Sequence, residues 1–292
     1  MVNIIHMAHP KCPLCSNSKK ELLYESSLLS KSPPSGLFNC TSSHYGMHGP
    51  IYHCSKCSLV FIVDDTNVLQ IVKSYQDAQD PVYLAEAGAR VKTFQRQLDG
   101  IEPFKGQRLL DVGAYTGLFV YLARKSGWVT EGIEPSSWAI GKAKSQYQVK
   151  LTRGILRAGY FKPNSFDVVT LWDVIEHFVD PKLAMKICYA YLKKRGWIAM
   201  STINVEAPAA KILGSRWPWL MQMHRVYFSP VTMTKMLAQA GFTNISFRPH
   251  IRYISLGYLW SSFIQVKLPD ILGKIIIPFY IGDLFDVYAQ KI

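Results

Sequence analysis

The sequence lacks any apolar run of the length that a membrane-spanning helix requires. Such a helix needs about 18 or more consecutive apolar residues, and the most apolar candidate, at 253–266, is shorter. The N-terminus, MVNIIHMAHPK, has neither the basic start nor the long apolar core of a secretory signal peptide. These absences predict a cytoplasmic protein without a transmembrane segment.

Acidic residues are few, since 20 Asp and Glu face 33 Lys and Arg, for a formal net charge of +13. Residues 141–166 hold six basic residues and no acidic one, and residues 182–225 hold eight against Glu206. This charge favours an anionic partner, such as a nucleic acid, a sugar nucleotide or a phospholipid surface. Solvated Lys and Arg on the outer faces of helices would explain it equally well. No arginine-rich arm or recognised RNA-binding motif is present, so nucleic acid is the less favoured partner.

Cysteines number only six, but four of them form two Cys-x-x-Cys pairs, Cys12 with Cys15 and Cys54 with Cys57. In a chain without a secretion signal, such pairs indicate metal ligands rather than disulfides. Two pairs can complete the thiolate tetrahedron of a structural zinc site, which leaves no position open for water. Alternative ligands in the same region are Cys40, His44, His48 and His53.

The segment RLLDVGAYTGLFVYLAR at 108–124 predicts a buried strand, a glycine turn and a helix. Gly113 and Gly117 bracket the turn, and backbone N–H groups of such a turn can approach a ligand. Many glycine turns are only structural, so this motif needs support from the strands that follow it.

Two later segments provide that support. Residues 128–134 predict a strand ending in Glu134, which lies 23 residues after Asp111, a spacing at which a carboxylate can reach a ribose diol. Residues 168–172 predict a third buried strand, followed by Asp173 and by a helix that ends at Leu192 and begins at Glu176 or at Pro181. The carboxyl ends of parallel strands lie at one edge of a sheet, so these polar residues should face one crevice.

Strands and helices alternate through this region, which predicts the α/β class with a parallel sheet covered by helices on both faces. A helical stretch is expected before it, at 68–100, and a helix and a strand after it, at 231–240 and 242–247. Residues 250–278 are apolar and aromatic and break the alternation, so they are predicted to be an insertion before a last strand at 284–289.

Three motifs together resemble those of class I S-adenosylmethionine-dependent methyltransferases: LLDVGAYTG at 109–117, GIEPS at 132–136 and DVIEHFVDP at 173–181. Within that class, the chain is similar to bacterial small-molecule and glycan methyltransferases with an N-terminal zinc ribbon. The resemblance implies a Rossmann-like, mostly parallel sheet of seven strands whose last strand is antiparallel. Two positions depart from the family pattern, because Tyr115 replaces a glycine and no acidic residue follows the third strand at 153–156.

The resemblance also implies the residues that bind S-adenosylmethionine. Asp111 would organise the loop near the methionine amine, Glu134 would accept the ribose hydroxyls, and Arg90, in a Tyr83…Arg90 pattern, would approach the methionine carboxylate. An ordinary exposed arginine is an equal alternative for Arg90. The full predicted cofactor set is Arg90, Asp111, Gly113, Ala114, Tyr115, Gly117, Glu134, Pro135, Ile155, Leu156, Trp172 and Asp173.

Histidine is the usual general base near neutral pH, and two histidines are candidates here. His177 follows the third strand, and His224 lies after the fifth, where related enzymes often place acceptor residues. Each could instead be a polar residue that fixes a loop. The basic and aromatic stretch at 217–225 predicts an acceptor pocket with a sugar ring stacked on an aromatic residue and a phosphate held by Arg225. Core packing is the alternative for its aromatic residues.

The predicted function is methyl transfer from S-adenosylmethionine to a sugar, a glycan precursor or another small metabolite. The acceptor is expected to be anionic, such as a sugar nucleotide or a lipid-linked glycan, with peripheral membrane contact through the insertion. The alternatives are an RNA methyltransferase and a non-catalytic module with a cofactor fold. The predicted domains are a zinc-ribbon-like domain at 1–66, a helical lid at 67–100 and the methyltransferase domain at 101–292, which contains the insertion at 250–278.

Overall fold

A computed structural model describes residues 11–28, 37–38, 41, 45–64, 67–102, 107–263 and 270–292. Predictions that concern Cys40, His44, the N-terminal ten residues and part of the insertion therefore lie outside the described residues. In the described part of the chain, no helix has the length and apolar character needed to cross a membrane.

Thirteen strands occur in the described part of the chain. They are β1 (Lys20–Tyr24), β2 (Ile51–Cys54), β3 (Val60–Ile62), β4 (Arg108–Val112), β5 (Val129–Glu134), β6 (Thr152–Arg153), β7 (Phe166–Trp172), β8 (Leu192–Ile203), β9 (Val226–Tyr227), β10 (Phe242–Pro249), β11 (Arg252–Ser255), β12 (Ile276–Phe279) and β13 (Leu284–Lys291).

The same residues contain ten α-helices and short 3₁₀ turns. The helices are α1 (Val68–Asp77), α2 (Pro81–Ala85), α3 (Ala87–Gly100), α4 (Leu118–Lys125), α5 (Ser137–Tyr147), α6 (Pro181–Tyr191), α7 (Pro208–Leu213), α8 (Pro230–Gln239), α9 (Leu256–Phe263) and α10 (Asp270–Gly273).

The central sheet has seven strands in the order β10-β13-β8-β7-β4-β5-β6. Strand β13 runs antiparallel to both of its neighbours, and the pairings of β4 to β8 are parallel. This arrangement confirms the predicted Rossmann-like sheet with an antiparallel last strand. Its central strands are apolar and buried on both faces, as expected where helices cover both sides of a parallel sheet.

Of the two predicted starts of this helix, Pro181 is confirmed and Glu176 is wrong, and the helix ends at Tyr191, one residue before the predicted Leu192. A 3₁₀ turn covers Ile175–His177, and α6 begins only at Pro181, whose preceding residue Asp180 caps it by accepting from the Leu183 N–H. Proline disfavours helical geometry in the residue before it, so Asp180 adopts a non-helical conformation and separates the two elements. After Tyr191 the chain enters β8, where the Lys193 Nζ lies 2.9 Å from both carboxylate oxygens of Asp167.

The predicted helical stretch at 68–100 consists of three helices, α1, α2 and α3. The break between the first two lies at Asp80, which caps α2 by accepting from the Tyr83 N–H at 2.9 Å, with Pro81 as the first helical residue. Part of the insertion packs against α3, because the Tyr253 N–H donates to Thr93 Oγ1 and Ser255 Oγ donates to Glu86 Oε1, both at 2.8 Å. Within the insertion, β11 and β12 form a separate antiparallel pair.

A second sheet has the order β1-β2-β3-β9, and all its pairings are antiparallel. Strand β9 lies in the chain between β8 and β10 of the central sheet, so a segment distant in sequence completes the sheet that carries the N-terminal cysteines. Arg225, just before β9, donates from both terminal nitrogens to the Asp64 carboxylate at 2.8 and 3.0 Å. Both partners of this ion pair are largely buried, so breaking it would leave an uncompensated charge.

Candidate active site

The glycine loop joins β4 to α4 and folds back over the end of β5. The N–H groups of Gly113 and Ala114 donate to the Ile133 carbonyl, at 2.9 and 3.1 Å. Gly113 has a φ of +73°, and a Cβ placed there would lie 2.6 Å from Val174 Cγ2. Glycine is therefore required at 113 by both backbone conformation and space.

Tyr115, at the position where the family pattern has glycine, adopts the left-handed region with a φ of +45°. Its N–H donates to Glu134 Oε2 at 2.9 Å, so the loop keeps a sharp turn despite the side chain. The Tyr115 ring lies edge to face with Tyr83, at 4.5 Å between centroids, and Arg90 stacks 3.6 Å from the Tyr83 centroid. The Trp138 ring centroid lies 6.0 Å from that of Tyr115. An aromatic and cationic cluster therefore lies beside the loop.

Glu134 ends β5 with a side chain that is 4% exposed. Its Oε1 accepts from the Ser136 N–H at 2.8 Å, and its Oε2 accepts from Tyr115. Burial raises the pKa of Glu134 to about 7, although the two backbone N–H groups act in the opposite direction. Each carboxylate oxygen can accept about two hydrogen bonds. The carboxylate can therefore accept two ligand hydroxyls without breaking a backbone bond, which fits a ribose diol.

Asp111 lies on the neighbouring strand and is also buried. Thr170 Oγ1 donates to its Oδ1 at 2.6 Å. Burial raises the pKa of Asp111 to about 7, and the nearby Glu134 charge adds to this rise. Its side chain contacts strand β7 rather than the glycine loop, so the predicted role of Asp111 in organising that loop rests on proximity and remains a prediction.

The remaining predicted cofactor residues lie around the same sheet edge. Trp172, at the end of β7, is 9% exposed, and its Nε1 has no hydrogen-bond partner among the described residues. Asp173 follows with a φ of +55° and is exposed; its N–H and Oδ1 both bond to Ser201 Oγ. Leu156 packs into the main core, and Ile155 and Pro135 are half-buried. The indole N–H of Trp172 at this sheet edge can hydrogen-bond a polar ligand such as S-adenosylmethionine.

Glu176, His177 and His224 form a second polar cluster at this edge, with one side-chain ligand atom of each lying within 4.8 Å of the others. Thr202 Oγ1 donates to Glu176 Oε2 at 2.9 Å, and the two imidazole rings are 5.0 Å apart. Burial raises the pKa of Glu176 to about 8, with a contribution from the Asp173 charge. Burial and the neighbouring His177 lower the pKa of His224 to about 3, and burial also lowers the pKa of His177. Both rings are therefore neutral near pH 7.

The sequence reading missed two contributors to this cluster. Thr202 and Tyr75 contact it, since the Tyr75 Oη lies 2.8 Å from His177 Nδ1. The signal for Thr202 was present, because Ser201 and Thr202 are polar residues in the second half of β8, which is otherwise apolar from Trp197 onward. Tyr75 had no comparable signal, since it lies on α1, far from His177 in sequence.

The predicted phosphate contact of Arg225 is wrong. Arg225 is 6% exposed, and its guanidinium is held by Asp64. Trp217 is buried in the core, so the alternative of core packing applies to it, whereas Trp219 donates from Nε1 to Asp283 at 2.8 Å.

The four predicted zinc ligands lie together. Cys12 Sγ is 3.4 Å from Cys57 Sγ, Cys15 Sγ is 3.5 Å from Cys54 Sγ, and all four sulfurs lie within 4.8 Å of one another. A tetrahedral zinc with Zn–S bonds of about 2.3 Å separates its sulfurs by about 3.8 Å. The cluster therefore has the donor set and the dimensions of a zinc site. His48 instead places its Nδ1 2.7 Å from the Gly49 carbonyl.

The sequence model of a family described as "Methyltransferase domain" matches residues 84–247. A ubiquinone biosynthesis O-methyltransferase of Paracidovorax citrulli is 30% identical over 122 residues, which is 38% of this chain and 50% of that protein. The enzyme of the same name from Neisseria meningitidis serogroup C is 26% identical over 49% of this chain and 67% of its own. The match thus spans half to two thirds of these relatives.

Two solved structures share the fold. One is a SAM-dependent methyltransferase from Archaeoglobus fulgidus, with a TM-score of 0.53 and 15% identity over 73% of this chain and 100% of that one. The other, from Thermotoga maritima, is described as a SAM-dependent methyltransferase and possible histamine N-methyltransferase; its TM-score is 0.50, with 20% identity over 70% of this chain and 91% of that one. Together with the family match over more than half of its length, these findings show that the chain belongs to the class I S-adenosylmethionine-dependent methyltransferases.

Proposed function

We propose that this protein transfers a methyl group from S-adenosylmethionine to a hydroxyl oxygen of a small-molecule acceptor. The observation that carries the proposal is the buried Glu134 carboxylate, which is fixed by two backbone N–H groups beside the glycine loop and keeps capacity for two more hydroxyl donors. The names of the relatives favour oxygen as the acceptor atom.

S-adenosylmethionine supplies a methyl group that its sulfonium already activates, so the protein's own contribution is binding, alignment and control of a proton. We assign the ribose hydroxyls to Glu134 and the methionine carboxylate to Arg90, whose guanidinium is bidentate by nature. The other residues of the proposed cofactor site are Asp111, Gly113, Ala114, Tyr115, Gly117, Pro135, Ile155, Leu156, Trp172 and Asp173.

The acceptor side of the site is assigned to the cluster of Glu176, His177 and His224. An imidazole whose pKa lies near 3 is a weak base at neutral pH, and burial lowers the pKa of His177 as well. Both histidines are kept as the candidate general bases. A sugar, a glycan precursor or another hydroxylated metabolite is the proposed acceptor class. The net charge of +13 supports an anionic acceptor. Arg225 has no part in this proposal, because Asp64 already pairs with it.

We also propose a structural zinc ion at Cys12, Cys15, Cys54 and Cys57, supported by their donor set and spacing. The division into 1–66, 67–100 and 101–292, with an insertion at 250–278, is part of the same proposal. The pairing of β3 with β9 supports a ribbon that is anchored on the methyltransferase domain.

Cofactor binding tests the proposal directly. Wild-type protein should bind S-adenosylhomocysteine in a calorimetric titration at pH 8, where Glu134 is ionised. Glu134→Gln should weaken binding by about 10- to 100-fold, since an unmet hydrogen bond to a charged group is worth about 1–3 kcal/mol. The amide nitrogen would also face one of the two backbone N–H groups that the carboxylate now accepts.

Glu131→Gln is the matched control, because Glu131 lies on the same strand but has 39% of its side chain exposed and pairs with Arg108. It should bind S-adenosylhomocysteine as the wild type does. Wild-type protein that does not bind this ligand would refute the proposed function.

A further inference from the structure

His250 and Asp286 form a buried hydrogen-bonded pair beside the central sheet. His250 Nδ1 lies 2.7 Å from Asp286 Oδ1, and the two side chains are 2% and 9% exposed. A carboxylate only accepts hydrogen bonds, so Nδ1 carries the proton and Nε2 presents its lone pair. Among the residues that the structure describes, His250 Nε2 has no hydrogen-bond partner. An imidazole that a carboxylate holds in one tautomer, with its second nitrogen available, is the arrangement of a general base.

The register of the central sheet places this pair near the proposed active site. Asp286 on β13 pairs with Ser201 on β8, and Ser201 pairs with Trp172 at the end of β7. Side chains at directly paired positions lie on the same face of a sheet. Ser201 Oγ donates to Asp173 Oδ1 at 2.6 Å and accepts from the Asp173 N–H at 2.9 Å. Asp286 therefore shares a face with the serine that holds Asp173 at the sheet edge.

Asp173 lies between two groups of titrating side chains. Burial is the largest influence on the pKa of His250, Asp286 and Glu176, and the Asp173 charge acts on all three. Because such an effect requires proximity, the pair and the cluster around Glu176 both border Asp173, which is exposed. An acceptor that lies over Asp173 would have both groups beside it.

His250 is better suited to accept a proton than His177 or His224. Burial acts to lower the pKa of His250, but the hydrogen bond and the charge of Asp286 raise it above the ordinary value for histidine. His177 and His224 instead place Nδ1 against backbone carbonyls, and burial lowers the pKa of each. A carboxylate stabilises the imidazolium that forms when the ring accepts a proton, so only His250 has this support.

Two arginines also act on the pair. Arg252 on β11 opposes the rise in the pKa of His250, and Arg96 on α3 opposes that of Asp286. Arg252 is itself held by the Asp283 carboxylate at 2.9 Å. Asp286 is therefore the group that fixes both the tautomer and the charge preference of His250.

We propose that His250, positioned by Asp286, is the general base that takes the proton from the acceptor hydroxyl. This inference rests on the proposed function, because it assumes a hydroxyl acceptor. The acceptor oxygen forms its bond to the methyl carbon as the methyl–sulfur bond breaks, and the hydroxyl proton moves to His250 Nε2. Asp286 stabilises the imidazolium, which gives its proton to solvent water after the methylated product leaves. His177 and His224 then have no part in proton transfer.

A titration of the His250 ring protons by nuclear magnetic resonance tests the pairing without an acceptor, with His250→Gln to assign the signals. Asp286→Asn should lower the pKa of His250 by about 1 to 3, the usual effect of a neighbouring opposite charge. Asp167→Asn is the matched control, because Asp167 is also an ion-paired carboxylate on the central sheet but binds Lys193. It should leave the titration of His250 unchanged. An unchanged pKa of His250 in Asp286→Asn would overturn the positioning role of Asp286.

A second titration uses wild-type protein and tests whether His250 faces the transferred methyl group. Sinefungin carries an ammonium group where S-adenosylhomocysteine has a neutral sulfur, so it places a positive charge at the site of methyl transfer. A charge about 8 Å away, at an effective dielectric constant of about 20, lowers the pKa of an imidazole by about 1 to 2. The pKa of His250 should be lower by about this amount with sinefungin than with S-adenosylhomocysteine. His48, which lies in the segment before β2, should show a smaller difference. Equal pKa values of His250 in the two complexes would overturn the inference.

Methyl transfer itself is measured with S-adenosylmethionine labelled in its methyl group and a deproteinised metabolite extract as the source of acceptors. His250→Gln should lower the rate at least about 100-fold, which is the size of effect that general bases have. The variant should bind S-adenosylhomocysteine as the wild type does. A variant that transfers methyl groups at the wild-type rate would overturn the inference. Wild-type protein that transfers none would contradict the proposed function, whereas the two titrations decide the assignment of His250 independently.

Discussion

Burial of the Glu134 carboxyl makes the stability of this protein depend on pH in a defined direction. The carboxyl ionises near pH 4.5 in an unfolded chain, but burial raises its pKa to about 7 in the folded protein. Between these values the folded state holds a proton that the unfolded state has lost. The contribution of Glu134 to the free energy of unfolding is therefore fully present below about pH 4.5 and is lost as the pH rises through about 7.

The size of this loss follows from the pKa difference. A pKa change of one is worth about 1.4 kcal/mol, so ionisation of Glu134 should lower the free energy of unfolding by about 3 kcal/mol across this window. Glu134→Gln removes the ionisable group and keeps its shape. The wild-type minus variant difference in unfolding free energy should therefore fall by about 3 kcal/mol between pH 4.5 and pH 7.5, whatever offset the amide introduces.

Urea unfolding of both proteins without ligand, at several pH values, measures this difference. Groups that do not interact with Glu134 contribute equally to both proteins and cancel. Asp111 does not cancel, because the Glu134 charge adds to the rise in its pKa that burial causes, and the loss of that charge in the variant adds to the fall in the same direction. Glu131→Gln controls for the loss of a carboxyl from the same strand. A difference that stays constant with pH, or that rises with pH, would show that Glu134 is not the buried proton-binding group described here.

Cofactor binding should have the opposite pH dependence. Acceptance of two ribose hydroxyls requires the ionised carboxylate, so affinity for S-adenosylhomocysteine should fall as the pH decreases below about 7. At pH 5.5 the affinity should be up to about 30-fold lower than at pH 8. Only about one thirtieth of Glu134 is ionised at pH 5.5 in the free protein. Calorimetry at pH 5.5 and pH 8 measures it, and equal affinities would contradict a hydrogen-bond acceptor role for Glu134.

Two further predictions concern the proposed zinc site and the glycine loop. Elemental analysis should find one zinc per chain. Cys12→Ala should lose the zinc and lower the stability of the protein, whereas Cys188→Ala, at a buried cysteine outside the cluster, should retain the zinc. Zinc that survives Cys12→Ala would contradict the site. Gly113→Ala should lower the free energy of unfolding by at least about 1 kcal/mol more than Gly127→Ala, because both glycines have positive φ but only Gly113 would bring its Cβ against Val174. Equal losses in thermal or urea unfolding would refute the steric argument.

Much of the fold was predictable because local signals determine it. The strand at 108–112 and the helix at 118–125 lie where the segment at 108–124 predicts them, since apolar runs and Gly117 mark them. The polar residues at the ends of the three motifs also lie at one edge of the sheet, as predicted. Polar residues that follow buried strands of a parallel sheet meet at that edge irrespective of details elsewhere.

The errors arose where a local signal was misjudged or where the contact is long-range. The helix predicted from 176 failed because Asp180 and Pro181 form a helix start, a signal that was present in the sequence. The pairing of Arg225 with Asp64 could not be read from sequence, because 161 positions separate the partners. The same holds for the approach of His224 to Glu176, which depends on the path of the chain after β8.

A crystal structure of the protein with S-adenosylhomocysteine tests the central claim most directly. The account predicts that both ribose hydroxyls lie within hydrogen-bond distance of the Glu134 carboxylate, while Tyr115 and Ser136 keep their N–H bonds to it. A ligand bound elsewhere on the fold, or one whose ribose hydroxyls do not contact Glu134, would contradict it.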